Sequence, residues 1–550
     1  TQRYREIENR QLLFEYEKNP EVALRALTGK TGVRHDHARE SEQPPDQYPA
    51  RLDPGRISSD AFARQALTRH KSLAGFEDAG LYGVTEAALT SEQRRELLRR
   101  LPLADDDNVV RLVVEDLRER DSRGFGSLPV HGKLTLAQLA ACRRELQDGE
   151  HDPAASAAFI HEYLARLEPS PDIDMRHDGG ARRRYLQSVW DFAGTLPASQ
   201  NALKVTALYH LLDHDRGEGI YDPARFTDYL RLPRIMPYVR RGHLESLGRF
   251  AATMGQAFPS APLLLPVVDD EPLVRDYLSH FLRVADDYRA YAEWLDEDYL
   301  KQVFAETKIL AGLGDMERWY SLMPPAAHQA LRERVDIDFL PRNPLYFEAG
   351  TEVKLAVAIK NVQNLRVAVY DLDAFSYYRG HDREIGIDVD LDGSVPNHEF
   401  TIPYEGLPPL RRHVETIALP QLRQPGVYIV ELSGSGVSSR ALVRKGRLRG
   451  VERIGAAGHV FVVLDDQGSP LADAVAWLDN QTFSADENGE IHIPFSTSGD
   501  DVEGGAAGAG KTLVLRHERL AARIVFRHQT ERYRLDLGWM LDRESLLAGT

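Results

Sequence analysis

The chain has 550 residues, of which 42% are hydrophobic and 28% charged, a balance that excludes wholesale disorder and leaves room for about three to five domains of roughly 100–200 residues each. Its 84 acidic residues outnumber 68 basic ones for a net charge of −16, which argues against a nucleic-acid reader, because such proteins carry a positive field. The single cysteine, Cys142, excludes an intramolecular disulfide, a multi-cysteine zinc ribbon and a Cys-ligated iron–sulfur cluster.

In chain order, Arg34–Asp60 is rich in Pro, Asp, Ser and Gln and reads as a linker. Thr90–Gln93 and Thr135–Gln138 have the capping-box form, a hydroxyl residue followed three later by glutamine, and each should start a helix. Pro169–Gly180 is a second expected break. From Val274 through Tyr277, Leu278, Phe281, Ala285, Tyr288, Ala292 and Leu295 to Tyr299, apolar residues recur every three or four positions, which predicts one helical stripe. Tyr320 and Pro324-Pro325 should mark where that helical stretch has ended. No apolar run is long enough to span a bilayer; the longest, near Ala261–Val268, is interrupted by Pro262 and Pro266.

After Pro344 the period changes to two. Val353, Leu355, Val357 and Ile359 alternate with smaller or charged residues, as a half-buried strand does, and Leu365, Val367 and Val369 repeat the pattern. Val427–Leu432, His459–Leu464, Ala474–Leu478, Ile491–Phe495, Thr512–Arg516 and Ala522–Phe526 are further predicted strands. Asn488-Gly489 predicts a hairpin turn. The fold class is therefore multidomain α+β, an all-α N-terminal region followed by tandem antiparallel β-sandwiches. The expected divisions are 1–60 (helical segment and linker), 61–340 (helical), 341–450 (first sandwich), 451–528 (second sandwich) and 529–550 (start of a further domain). The Thr1 start and the domain-like opening at Tyr533–Gly549 lead us to expect the front part of a longer protein.

Four patterns bear on chemistry. Gly505–Thr512 spells G-x-x-x-x-G-K-T, but an ATP loop needs a buried strand before it and a helix after it. Here an acidic stretch with Asp500, Asp501 and Glu503 precedes it and a strand-like alternation follows, so no ATP binding is expected. Asp388, Asp390 and Asp392 alternate ahead of Gly393, and Glu399 falls at the twelfth position; oxygen ligands at alternate positions, a bend and a closing carboxylate make these four the candidate calcium ligands. No other cofactor is expected. His210 and His214 lie one helical turn apart and would supply half a metal site; His35-Asp36-His37 reads as a solvated polar patch. Cys142, on a stripe with Leu139 and Leu146, reads as core, and no Gly-x-Ser-x-Gly elbow occurs.

The β part, roughly 340–550, resembles the sandwiches of the alpha-macroglobulin family, particularly its bacterial members. The resemblance rests on Tyr346-Phe347-Glu348-Ala349-Gly350 followed by a strand closing on Asn361, on the turn Gln424-Pro425-Gly426-Val427-Tyr428, and on Val460–Leu478 with Asp465, Gly468, Pro470 and Ala474-Val475 in a hairpin-opening layout. Strand, Asp-x-x-Gly-x-Pro and Ala-x-Val also occur in other transthyretin-like sandwiches. The resemblance implies a non-enzymatic scaffold, secreted or tied to the cell envelope, whose partner is a protein, a protease among the candidates. The family's thioester is not implied: Cys142 is followed by Arg143-Arg144-Glu145 and no glutamine stands in register. Arginine far outnumbers lysine, which suits a bacterium of high GC content. Two rivals stay open, a metal-dependent enzyme centred on His210 and His214 and a calcium-dependent adhesion module at Asp388–Glu399.

Overall fold

The computed structural model describes residues 59–73, 78–102, 107–147, 152–170, 173, 175, 177–404, 406, 408, 410–455, 457–496, 510–530, 532–534 and 540–542. The His35–His37 patch, most of the 34–60 linker and residues 505–509 lie outside them. Helices fill the first part: α1 (Ser59–Arg69), α2 (Asp78–Thr85), α3 (Ser91–Arg100), α4 (Asp107–Leu117), α5 (Leu136–Leu146), α6 (Ala157–Leu167), α7 (Gly179–Gly194), α8 (Asn201–Gly217), α9 (Pro223–Arg231), α10 (Arg241–Leu247), α11 (Glu271–Leu282), α12 (Glu297–Ala311), α13 (Met316–Ser321) and α14 (Pro325–Glu333). They share one apolar core. None is long and apolar enough to cross a membrane.

Both predicted capping boxes form. Thr90 Oγ1 accepts from the Gln93 amide while Gln93 Oε1 accepts from the Thr90 amide at 3.1 Å, and Thr135 and Gln138 repeat the exchange, so α3 and α5 begin where orphan amides are satisfied. The 169–180 break falls between α6 and α7. The stripe from Val274 to Tyr299, however, is not one helix. α11 stops at Leu282, and two aspartates downstream cap new turns: Asp287 Oδ1 accepts from the Arg289 amide at 2.9 Å and Asp296 Oδ1 from those of Asp298 and Tyr299. Side-chain oxygens competing for backbone amides thus override the apolar spacing. α13 ends at Ser321, and Pro325 then occupies the first turn of α14, where a missing N–H costs no hydrogen bond.

The first sandwich pairs the antiparallel sheet β1 (Asp336–Phe339), β3 (Lys354–Lys360) and β6 (His413–Ala418), in order β1-β3-β6, with a five-stranded sheet ordered β2-β8-β7-β4-β5, in which β2 is Tyr346–Phe347, β4 Asn364–Leu372, β5 His398–Pro403, β7 Gly426–Gly434 and β8 Val437–Lys445. β2 alone runs parallel to its neighbour. A short helix, α15 (Ala374–Gly380), follows β4. The second sandwich packs β9 (Arg449–Gly455), β10 (Gly458–Leu464) and β13 (Glu490–Pro494), ordered β13-β10-β9, against β11 (Val475–Leu478), β12 (Gln481–Ser484), β14 (Lys511–His517) and β15 (Leu520–Phe526), ordered β12-β11-β14-β15. β16 (Arg532–Arg534) pairs with β17 (Met540–Asp542). Each sandwich has its own apolar core, built from the inward faces of alternating strands. In the Asn488-Gly489 turn only the glycine takes positive φ, +76°.

Candidate functional site

The four proposed calcium ligands sit on the loop after α15 and on β5. Asp388 Oδ2 accepts from Arg383 at 3.0 Å, Asp390 Oδ1 accepts from the Asp392 amide at 2.9 Å, and Glu399 takes both ends of the Arg366 guanidinium at 2.7 and 3.0 Å. No three of these carboxylates converge within 4.8 Å of one another. Gly393 makes the expected bend at φ +77°. The Lys and Thr of the G-x-x-x-x-G-K-T string open a strand, as the alternation predicts. Lys511 Nζ is bound to Asp479, and the Thr512 hydroxyl donates to Asp382 at 2.6 Å.

His210 and His214 share α8 but not a ligand set: the His210 Nε2 meets the Leu265 carbonyl at 2.8 Å, and among the described residues no third donor joins the pair. Burial lowers the pKa of both imidazoles. Cys142 is fully buried, and burial pushes its thiol up to about 12, which makes it a core residue rather than a nucleophile.

The structure instead draws attention to the junction where helical region and sandwiches meet. At the first seam, Asn361, the residue on which β3 closes, stands at φ +56° and donates its side-chain amide to the carbonyls of Arg332 and Arg334 at 2.8 and 2.9 Å. It thereby satisfies the C-terminal carbonyls of α14 and ties that helix to the sheet. At the second seam, Ala374 and Tyr378 of α15, with Ile385, Val389 and Val427, form one apolar cluster with Val514 of β14, so the two sandwiches share a small core. Polar contacts surround it. Asp382 accepts from Thr512 and from Arg523 Nη2 at 2.7 Å, Arg519 donates to Gln424 at 2.8 Å and to Asp371, and Arg379 and Arg516 lie over the rings of Trp477 and Phe375. Asp466 bridges the seam from the other side, accepting the amides of Ala349 at 2.7 Å and Arg447 at 2.6 Å.

Between these seams opens a cleft of about 520 Å³ with walls from all three parts, Met175, His177 and Leu263 from the helical region, Tyr346 and Arg444 from the first sandwich, and Ile524 from the second. Arg444 is part of its wall. Its guanidinium donates to the Tyr378 hydroxyl at 3.1 Å, to Glu384 at 3.2 Å and to the Ile385 carbonyl at 3.0 Å, and it lies 5.9 Å from the centre of the Tyr346 ring. The His177 ring lies tilted against that of Tyr346, their centres 3.8 Å apart. Burial works against the Arg444 charge, but its phenol and carboxylate neighbours outweigh it and raise the pKa. Lys445 points the opposite way along β8 and buries its ammonium on the Leu422 carbonyl, so these two adjacent cations lie on opposite faces of one strand. Aromatic rings and arginine around an apolar hollow are chemistry suited to gripping another protein.

Fold and cleft together define a multidomain protein in which a helical domain is joined to immunoglobulin-like sandwiches. The sequence model of the actin-binding protein F N-terminal domain matches residues 56–335, and that of the AbpF first immunoglobulin-like domain matches residues 365–446; the chain belongs to the actin-binding protein F family. A relative in Dictyostelium discoideum, "Actin-binding protein F", is 26% identical over 477 residues, 85% of this chain but 19% of the relative, so the chain spans about a fifth of that protein's length. Two solved structures of Escherichia coli alpha-2-macroglobulin fragments, spanning domains MG0-NIE-MG1 and NIE-MG1, are 17% and 15% identical, each covering 35% of this chain and 64% and 97% of their own, both with a TM-score of 0.23. At that score the likeness constrains nothing. The family is thus actin-binding protein F, not the alpha-macroglobulin family that residues 340–550 resemble, and what the two descriptions have in common is the sandwich.

Proposed function

We propose that the chain is a non-enzymatic protein-binding scaffold whose partner is actin, with residues 61–340, 341–450 and 451–528 acting as three modules held at a fixed angle. The observation that supports the partner is the family match over both the helical region and the first sandwich, together with the printed name of the Dictyostelium relative. The junction supports a scaffold role, because shared apolar contacts and side-chain hydrogen bonds to backbone join the modules more tightly than a flexible linker would. Nothing in the geometry favours the protease partner implied by the macroglobulin resemblance.

Co-sedimentation with actin filaments tests the reading. The chain should pellet with filaments in a saturable manner, and Arg444→Ala with Tyr346→Ala should weaken that binding if the cleft contributes. Failure of the parent chain to pellet at filament concentrations of about 50 μM, equivalent to a binding free energy weaker than roughly −6 kcal/mol, would remove actin as the partner of this segment.

A further inference from the structure

A third constellation escapes the sequence motifs. The turn between β12 and β13 places Asp486, Glu490 and His492 so that one ligand atom of each lies within 4.8 Å of the other two, and no other such group of three occurs among the described residues. The spacing is built by the hairpin. Glu490 and His492 are alternate residues of β13 and therefore share a face, while Asp486 reaches onto that face from the turn. His492 Nε2 stands 3.2 Å from Asp486 Oδ2 and 3.8 Å from Glu490 Oε2. Each carboxylate is held from behind by its second oxygen. Asp486 Oδ1 accepts the amides of Asn488 and Glu490 at 2.8 and 2.9 Å, and Glu490 Oε1 accepts from Arg453 at 2.6 Å. The other oxygens, Asp486 Oδ2 and Glu490 Oε2, face the imidazole, with Asp486 Oδ2 in hydrogen bond to Nε2, and hydrogen bonds to the outer oxygens of a carboxylate are what orient metal ligands.

We propose that Asp486, Glu490 and His492 form a binding site for a divalent transition-metal ion of the zinc class. Ligands about 2.0–2.2 Å from a tetrahedral zinc stand about 3.3–3.6 Å from one another, and the 3.2 and 3.8 Å from His492 to the two carboxylates bracket that spacing. One imidazole with two carboxylates suits zinc or cobalt, whereas calcium takes six to eight oxygens. The face is open to solvent, with the three side chains 38%, 24% and 57% exposed in chain order, so water or a partner's side chain can complete the shell. Metal bound here would pin the hairpin tip of the second sandwich.

Zinc titrated into the chelator-treated full chain by calorimetry tests the assignment, alongside His492→Ala, Asp486→Asn and, as control, His210→Ala. Asp486→Asn keeps an oxygen for the turn amides and removes the charge. We expect one equivalent to bind in the micromolar range and both site substitutions to weaken it at least roughly tenfold, with His210→Ala unchanged. Cobalt in place of zinc should give a visible absorption band that His492→Ala abolishes. Equal melting temperatures of all variants in chelator show that folding is intact. No saturable binding below about 100 μM, or an equivalent that survives both His492→Ala and Asp486→Asn, would overturn the site.

Discussion

Replacing Asp270 with asparagine tests what holds the cleft's helical wall in place. Arg234 and Asp270 are both fully buried, and they close the neck of the excursion that carries Leu263. Arg234 Nε donates to Asp270 Oδ2, Nη1 to the carbonyls of Tyr229 and Leu232 at 3.2 and 3.3 Å, and Nη2 to the Tyr238 hydroxyl at 3.2 Å, while the hydroxyls of Tyr229 and Tyr238 both donate to the Asp270 carboxylate. Burial pushes both phenols well above their ordinary range, so they stay donors. Asp270→Asn removes the negative charge and leaves a guanidinium unpaired in the interior, which costs about 3–5 kcal/mol. That is a large share of a typical stability of about 5–15 kcal/mol. With about 2–4 °C per kcal/mol for a region of this size, calorimetry should show the helical transition falling by roughly 6–20 °C. The paired change Arg234→Met with Asp270→Leu should fall less, because no charge is stranded. A fall of under about 2 °C for Asp270→Asn, or a double variant as unstable as the single one, would refute the reasoning.

Two further outcomes follow from the packing. Buried His131 accepts the Gly126 amide through Nδ1 at 2.8 Å and stacks on Phe125, and burial pushes its pKa down to about 4. The native state then binds fewer protons than an unfolded imidazole with a pKa of about 6.5, so stability on the order of 3 kcal/mol present above that value is lost as pH falls toward 4; urea melts of the parent should show this slope, and a His131→Gln variant with the same slope would contradict it. Val514→Asp places a charge in the core shared by the two sandwiches, so one calorimetric transition for the sandwich pair should split into two, and a single unchanged transition would show that the seam does not couple them.

The parts of the fold legible in the sequence were those set by local chemistry. β3 and β4 carry large apolar residues at alternate positions, and the capping boxes at Thr90 and Thr135 need nothing beyond four residues. β5 and β6 were harder to read because they are edge strands of their sheets with mostly exposed or half-buried side chains, leaving little apolar period to detect. The cleft was not legible at all, since Met175, Tyr346, Arg444 and Ile524 meet only through tertiary packing. Which face of β8 Arg444 takes depends on register. The Asp486–His492 group was seen as a hairpin; its signal, two ligand types at alternate positions beside a turn aspartate, becomes specific once the strand is known.

The gap between the two family matches makes a last prediction. Residues 336–364 fall outside both matched spans, 56–335 and 365–446, yet they supply β1 and β3. β3 pairs along six residues with β6, and β1 pairs along four with β3. A fragment of residues 365–446 would keep the five-stranded sheet without β2 and lose two of three strands from the other. With them go Ile337, Val353, Leu355, Val357, Ile359 and Val362, all buried in the first sandwich's core. At about 1.5–3 kcal/mol for each buried aliphatic side chain, their loss exceeds what a small domain has to spare. The 365–446 fragment should therefore melt without a cooperative transition, and 336–446 should regain one. A cooperative melt of 365–446 alone would show that the matched span is a complete folding unit and that β1 and β3 belong energetically to the helical region, to which Asn361 and Lys360 also bind.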